Sequence, residues 1–458
     1  MVGKVAAAYR FGYCLKTQSS TKRFDFLFLP LLKKPIIFTF PMKTTLLYQI
    51  QNLLQVEETP QKATLLPRKG VQMAFLPQIE NAFLYLVDGK IADWGKMQDC
   101  PAAYFEADEK IEATGKMVMP TFVDSHTHLV YAGSREAEFV DKIKGLSYEE
   151  IFKRGGGILN SAKKLQAASE DELFEQAWQR LEEIMRLGTG AVEIKSGYGL
   201  TTPDELKILR VAQKIKAHSP IAVKTTFLGA HAFPREVSRQ KYMAMILEEM
   251  LPAVAEEKLA DYCDVFCDKG FFTPQETETI LIKATDLGLQ LRLHANELDY
   301  SGGVQVGAKY GAVSVDHLEF VGEAEIEALQ KSQTLPTLLP STAFFLRLPY
   351  APARKILEAN LPIVLASDYN PGSSPSGNLP FVMALACIQM KMLPEEALNA
   401  LTYNAAFALG LEKSHGVIGK GAEANFILTQ KVPSLAFLPY SFGSDWIEQV
   451  FIKGKPIR

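Results

Sequence analysis

From about residue 118 the chain alternates short apolar runs with amphipathic helical stretches, and this alternation constrains the fold more than any other feature. The runs with strand character are MVMPTFVDSH (117–126), AVEIKS (191–196), AVKTTFLGA (222–230), YCDVFCD (262–268), LQLRLHA (289–295), AVSVDHL (312–318), TLPTLLPS (334–341) and PIVLASD (362–368). The segments between them carry helix punctuation. Ser169 and Glu172 form a capping box ahead of Leu173, Ala177, Leu181 and Ile184, and Gly188 closes that helix. TPDE (202–205) and TPQE (273–276) each offer a Thr N-cap, a Pro at the first helical position and an acid at the third. Strands joined through helices build a parallel sheet, since a parallel connection needs a long crossover. Eight such units in about 250 residues predict an α/β fold, a (β/α)8 TIM-type barrel rather than an open doubly wound sheet.

The flanks are strand-like and rich in turns instead. TTLLYQIQNLLQV, NAFLYLVDGKIADWG and KIEAT precede the barrel; GAEANFILTQ and WIEQVFIKGKPIR follow it. The expected organisation is a barrel over 118–415 and a small β-sandwich-like domain built from both chain ends, 42–117 and 416–458. Residues 1–41 stand apart: seven basic residues face a single acid, Asp25, a bias superficially like a transit peptide. They contain no long uncharged hydrophobic stretch. Globular patterning starts at Met42, so the reading favoured is an extension outside the fold, with synthesis beginning at Met42.

Charge and cysteine usage narrow the classes further. A net charge of −3 leaves no basic footprint for nucleic acid or an acidic membrane. No run approaches the roughly 18 apolar residues of a membrane-spanning helix. Cys14, Cys100, Cys263, Cys267 and Cys387 show no CxxC spacing, as expected of reduced thiols in a cytoplasmic protein.

The polar residues at the strand ends carry the chemistry. In VDSHTHLVYAGSR (123–135), His126 and His128 are two apart, so a strand points both to one side. Taken alone, this pair reads equally as ordinary histidines on a half-buried strand. However, His231 follows the third run, His294 ends the fifth, His317 lies on the sixth and Asp368 ends the eighth. Five of the seven histidines thus collect at strand ends, where this fold gathers its catalytic residues; His218 and His415 fall outside the pattern. A barrel brings the ends of strands 1, 5 and 8 around one mouth. There His126, His128, His294 and Asp368 supply three nitrogens and a carboxylate, a set suited to Zn or Fe.

This placement resembles the amidohydrolase superfamily, and the connecting motifs are similar to those of its imidazolonepropionase family. The matching stretches are DSHTHLVYAGSREAEF, GGGI, VEIKSGYGL, TTFLGAHAFP, DVFCDKGFF, LHANEL, GAVSVDHLE and ASDYNPGSSP, spread over about residues 120–380. Thr121 departs from the glycine usual there. The resemblance implies hydrolysis of 4-imidazolone-5-propanoate to N-formimidoyl-L-glutamate, the third step of histidine degradation. It also implies one metal ion per subunit, a homodimer, and a small-molecule substrate as the partner.

Roles follow for individual residues. Asp368 would take and return the proton of an activated water. Glu297 would orient the ring and relay protons; its bland alternative is an acid at a helix start. His317 would hold the ring carbonyl oxygen, or else be a buried histidine satisfied by Asp316 or a backbone carbonyl. Arg135 would pair with the propionate, against a surface salt bridge with Glu136 or Glu138. Tyr198 and His231 would meet the substrate's polar groups, while Asn370, Gly372 and Ser373 would offer N–H groups and an amide. Related binuclear hydrolases use a modified lysine at strand 4, which brings Lys269 into view; its loop position argues for a single ion. Lys195 is expected to pair with Glu193. The alternatives are another deaminase or cyclic amidohydrolase acting on a purine or pyrimidine, which offers Arg135 no carboxylate, and an inactive barrel scaffold, which is expected to lose ligands.

Overall fold

The computed structural model describes residues 43–58, 65–146 and 156–458; the extension over 1–41 lies outside them. Among the described residues, eight short parallel strands follow one another around a barrel: β1 (Phe122–Asp124), β2 (Thr189–Lys195), β3 (Ala222–Ala230), β4 (Tyr262–Cys267), β5 (Gln290–Ala295), β6 (Ser314–His317), β7 (Leu335–Leu338) and β8 (Val364–Leu365). Each pairs in parallel with the next. The circle closes through backbone just beyond β8. Asp368 N donates to His126 O at 3.0 Å, and His128 N to Tyr369 O at 2.9 Å. Ser367 N and Oγ both donate to the Asp124 carboxylate, at 3.1 and 2.5 Å. The same hydrogen bonds that shut the barrel therefore fix the backbone of two histidines and Asp368.

Helix boundaries follow local chemistry. Ser169 and Glu172 form the reciprocal capping box of Glu170–Arg186, and Gly188 takes the left-handed φ of +98° that ends it. Thr273 caps Pro274–Asp286 in the same way. The TPDE reading is off by one residue. The helix is Thr202–His218, its N-cap is Thr201, and Thr201 Oγ1 accepts from Asp204 N. The cause is Glu205, whose carboxylate turns back to accept from the N–H groups of Gly197, Gly199 and Leu200 and is spent on the loop after β2.

The first apolar run is also divided. Lys116–Pro120 pairs with Phe426–Lys431 and Thr44–Leu54 in a second sheet, and only Phe122–Asp124 enters the barrel. Thr121 is the switch. Its N–H goes to Asn425 O, and the next, of Phe122, goes to Gly188 O. A Cβ on Gly190 would fall 2.0 Å from Thr121 Oγ1, so this glycine admits the threonine side chain.

That second, eight-stranded sheet joins both ends of the chain: Thr44–Leu54, Gln78–Val87, Lys90–Lys96, Glu109–Glu112 and Lys116–Pro120 with Phe426–Lys431, Ile447–Ile452 and Lys455–Pro456. Asp88 and Gly89, both at positive φ, make its tight hairpin turn. Leu47, Leu84, Val118, Phe426 and Phe451 share one apolar cluster across the two halves. Among the described residues, no helix is long and apolar enough to cross a membrane.

Candidate active site

The barrel interior is charged where such interiors are usually aliphatic. Side chains two apart on a strand share a face, which sends Glu193 and Lys195 of β2, Asp264 of β4, Arg292 and His294 of β5, and Asp316 of β6 inward. Lys195 Nζ donates to Glu193 Oε1 and to Asp264 Oδ2, both at 2.8 Å. Arg292 donates to the carbonyls of Ala408 and Ser125 at 2.9 Å, and its Nη2 lies 3.6 Å from Asp316 Oδ2. These five charged side chains are fully buried, which is tolerable only because every one has a partner. The expected Lys195–Glu193 pair is present; Asp264 is the partner that sequence reading did not supply.

The carboxylates of this layer hold the histidines above it. Asp316 Oδ2 lies 2.6 Å from His126 Nδ1, and Asp264 Oδ1 lies 3.0 Å from His294 Nδ1. A carboxylate on Nδ1 keeps the proton there and leaves the Nε2 lone pair free. Among the described residues, Nε2 of His126, Nε2 of His294 and Nδ1 of His128 make no hydrogen bond. His126, His128 and His294 each offer a nitrogen, all within 4.8 Å of one another. Burial, followed by the Lys195 charge, holds His126 well below its ordinary pKa; burial and His231 do the same for His128. Burial acts to raise the Asp264 carboxyl, but His294 and Lys195 outweigh it and hold the group far below its usual range.

Asp368 faces this cluster. Its Oδ1 is 3.4 Å from His126 Nε2 and 3.5 Å from His128 Nε2, while Oδ2 accepts from Thr342 Oγ1 at 2.6 Å and Ser373 Oγ at 3.3 Å. One oxygen is anchored and the other looks into the histidines. Asp368 sits at φ +53° and His317 at +83°, positions rarely tolerated by residues with a Cβ and typical of functional sites. For His317 the strain has a visible result. Strand alternation would point it away from Asp316, yet its ring lies 5.2 Å from that of His294 and 5.7 Å from that of His126.

His317 stands between two acids rather than against Asp316, which serves His126. Its Nε2 is 3.8 Å from Glu297 Oε2 and its Nδ1 3.8 Å from Glu319 Oε2. Burial pushes the Glu297 carboxyl up, against the opposing pull of His317. Burial pulls His317 the other way, but Glu297 and Glu319 together push it up to about 10. The group keeps a proton on the imidazole near neutral pH. Glu297 is itself placed by its N–H, which donates to Asp268 Oδ2 at 2.7 Å.

The rest of the mouth is lined by residues of four loops. Tyr198 is buried, 5.7 Å ring to ring from His128, and burial pushes its phenol far up. His231 stacks on His128 at 5.3 Å, binds Gly197 O through Nδ1, and is pulled down to about 3 by burial and then by His294. Arg135 Nε and Nη2 donate to Glu138 Oε2, at 2.9 and 2.6 Å. Asn370 is occupied within its own loop: its Nδ2 donates to Asp368 O and Ser373 Oγ, and its Oδ1 accepts from the N–H groups of Gly372 and Ser373. Lys269 is largely exposed and paired with Asp299 at 2.9 Å, away from the histidines.

Asp264 and Asp316 (weighed from sequence only as a partner of His317, not of His126), with Glu319 and Thr342, are the site residues whose roles sequence reading missed. The first two were visible as acids inside the apolar runs YCDVF and AVSVD, where an unpaired charge cannot be buried. Thr342, on the helix after β7, left no comparable trace.

Comparison with known proteins shows the family. Residues 117–457 match the model of the Amidohydrolase family. An imidazolonepropionase of Flavobacterium johnsoniae is 54% identical over 415 residues, covering 90% of this chain and all of that one. One of Christiangramia forsetii is 53% identical over 416 residues with the same coverage, and one of Thermoanaerobacter pseudethanolicus 44% over 391, covering 85% of this chain and 93% of that one. Among solved structures, a 5-methylcytosine deaminase of Klebsiella pneumoniae superposes with a TM-score of 0.65 at 17% identity, covering 89% of this chain and 98% of that one. An adenosine deaminase of Xanthomonas campestris superposes at 0.63 and 16%, covering 90% and 92%. At such identities the structural likeness speaks for the fold alone.

Proposed function

The chain belongs to the amidohydrolase family and, within it, to the imidazolonepropionases, hydrolases of a carbon–nitrogen bond in a small cyclic amide, and on that premise we propose that one Zn or Fe ion held by His126, His128, His294 and Asp368 serves the reaction. The observation that carries this reading is the cluster of buried nitrogens of His126, His128 and His294 within 4.8 Å of one another, with Nε2 of His126 and of His294 left without partners and Asp368 Oδ1 3.4 Å from the first. Buried donors and acceptors without partners cost about 1–3 kcal/mol each, so a cation there answers a debt the protein alone leaves open. The donor set, three imidazoles and a carboxylate, fits either metal. When bound, such an ion polarises a carbonyl and lowers the pKa of water from about 15.7 towards about 7.

The chain's own residues do the rest. Asp368, with Oδ2 anchored by Thr342 and Ser373, receives the water proton on Oδ1 and returns it to the departing ring nitrogen. His317, kept protonated between Glu297 and Glu319, presents an N–H where charge develops on the carbonyl oxygen. Glu297, whose Oε2 lies 3.8 Å from His317 Nε2, hydrogen-bonds the ring and relays protons. Arg135 binds the propionate, a charge-assisted contact worth about 1.5–3 kcal/mol. Tyr198 and His231 close over the ring from the β2 and β3 loops, and the Asn370–Ser373 turn holds the Asp368 side of the mouth. The product is N-formimidoyl-L-glutamate. The same reading includes assembly as a homodimer, to be checked by light scattering.

The test is an assay of purified protein with freshly generated 4-imidazolone-5-propanoate, following loss of its ultraviolet absorbance in metal-replete and chelator-treated samples. Turnover that chelation stops and added metal restores is the expected result. A folded, metal-loaded sample that leaves this substrate untouched would overturn the substrate assignment while leaving the metal centre in place.

A further inference from the structure

Arg135 does not hang free on its loop; among the described residues, two neighbours meet its guanidinium. Glu138 is one turn along the helix Glu136–Ile143, buried at 7% exposure. Its Oε2 accepts from Arg135 Nε and Nη2 and from Gly157 N at 3.1 Å, while Oε1 accepts from Asn160 Nδ2 at 3.0 Å. This carboxylate is itself tied to the start of the helix Ile158–Ala167, so it is a fixed post rather than a mobile surface acid. The second neighbour is Gly372, in the loop that carries Asp368. A Cβ there would fall 2.0 Å from Arg135 Nη1 and 2.9 Å from its Cζ. The glycine has no positive φ to explain it; the space it leaves is filled by the guanidinium.

We propose that Glu138 and Gly372 are the positioning residues of the substrate-carboxylate site, seating the guanidinium of Arg135 between them. The inference rests on the assignment of Arg135 to the propionate. Glu138 occupies the Nε–Nη2 edge and Gly372 admits Nη1 against the β8 loop. A planar fork held along one edge keeps its remaining N–H groups in a single orientation, which is what recognition of a carboxylate at a set distance from the ring requires. Gly372 thus acts through the side chain it lacks; its N–H is already committed to Asn370 Oδ1 at 2.8 Å. A carboxylate sharing the guanidinium also takes some attraction from the substrate's anion, and the seat requires that orientation outweigh that loss, which Glu138→Gln measures.

The experiment compares kcat/KM for 4-imidazolone-5-propanoate with that for the neutral propanamide analogue, in Glu138→Gln, Gly372→Ala and Arg135→Ala. Glu138→Gln keeps the shape but loses the charge. Gly372→Ala leaves every charge in place and moves only the tip of a flexible side chain. Each is expected to lower the ratio of the acid to the amide about tenfold, through KM, as loss of one charge-assisted contact would. Metal content and melting temperature report on folding; a failing Glu138→Gln is replaced by Glu138→Asp, and if Gly372→Ala fails, the Glu138 variants decide. If Arg135→Ala lowers the ratio while Glu138→Gln and Gly372→Ala do not, the seat is refuted and the propionate assignment stands. If Arg135→Ala itself leaves the ratio unchanged, the assignment falls and the seat with it.

Discussion

Asp264→Asn tests the charged layer beneath the metal site most sharply. In the native chain Asp264 Oδ1 is 3.0 Å from His294 Nδ1 and accepts from His294 N at 3.1 Å, while Oδ2 accepts from Lys195 Nζ at 2.8 Å. Asparagine has nearly the same shape, but one of its two positions must now be an NH2. Facing Lys195, that group sets donor against donor; flipped, it does the same to His294. Either arrangement leaves a buried donor unpaired, costing about 1–3 kcal/mol of stability. It also removes the negative charge that keeps the His294 proton on Nδ1. Outer-sphere carboxylates of this kind change metal affinity by about 10–100-fold, or roughly 1.4–2.7 kcal/mol. Lost charge and lost orientation act in the same direction, so the sign is not in doubt. Zinc affinity would be measured by competition with a chromophoric chelator, and apo-protein stability by urea unfolding. Lys195→Met should weaken the effect of Asp264→Asn in a double-mutant cycle, because the two share one contact. Zinc affinity within twofold of the native value in well-folded Asp264→Asn would refute the claim that this layer positions the histidines.

Other expectations follow from single contacts. His294→Ala should abolish turnover and the tightly held metal, read by elemental analysis of gel-filtered protein, whereas Asp368→Ala should abolish turnover even where some metal is retained. Thr273→Ala removes the capping box of Pro274–Asp286 and should cost about 1 kcal/mol in urea unfolding without altering KM. His415, outside the site and buried beside Ser414 and Asn425, is pulled by burial from 6.5 down to about 4. It stays neutral in the fold but protonates near 6.5 when unfolded. Its contribution is therefore complete above pH 6.5 and lost as pH falls to about 4, by about 3 kcal/mol. His415→Gln should flatten that part of the stability profile; an unchanged profile would contradict the burial argument.

Much of this architecture was legible in one dimension because it depends on local rules. The period of the apolar runs, Ser169 with Glu172, and Thr273 with Glu276 each act over a few residues, and the barrel strands and these two caps lie where those signals put them. Histidines at the ends of apolar runs are likewise a local observation, but His126 and His128 fall just beyond β1, His231 just beyond β3, and His317 turns inward only through its positive φ. The sheet switch at Thr121 and the cap shifted to Thr201 were not legible, because the first depends on the distant Asn425 and the second on how the loop after β2 folds back onto the Glu205 carboxylate.

The sequence by itself determined which residue types meet at the mouth: His126, His128, His294, His317 and Asp368 at the ends of their strands. Only the tertiary structure decided how they are held. Barrel register sets His294 beside Asp316 and Asp264 beside Arg292. Closure between β8 and β1 ties Asp368 N to His126 O. From sequence, Arg135 has a choice of acidic neighbours; in the fold Glu138 takes its guanidinium and Gly372 makes room for it. Hydrogen bonds and ion pairs act over about 3 Å, and residues 26 to 243 positions apart come that close only once the sheet has closed.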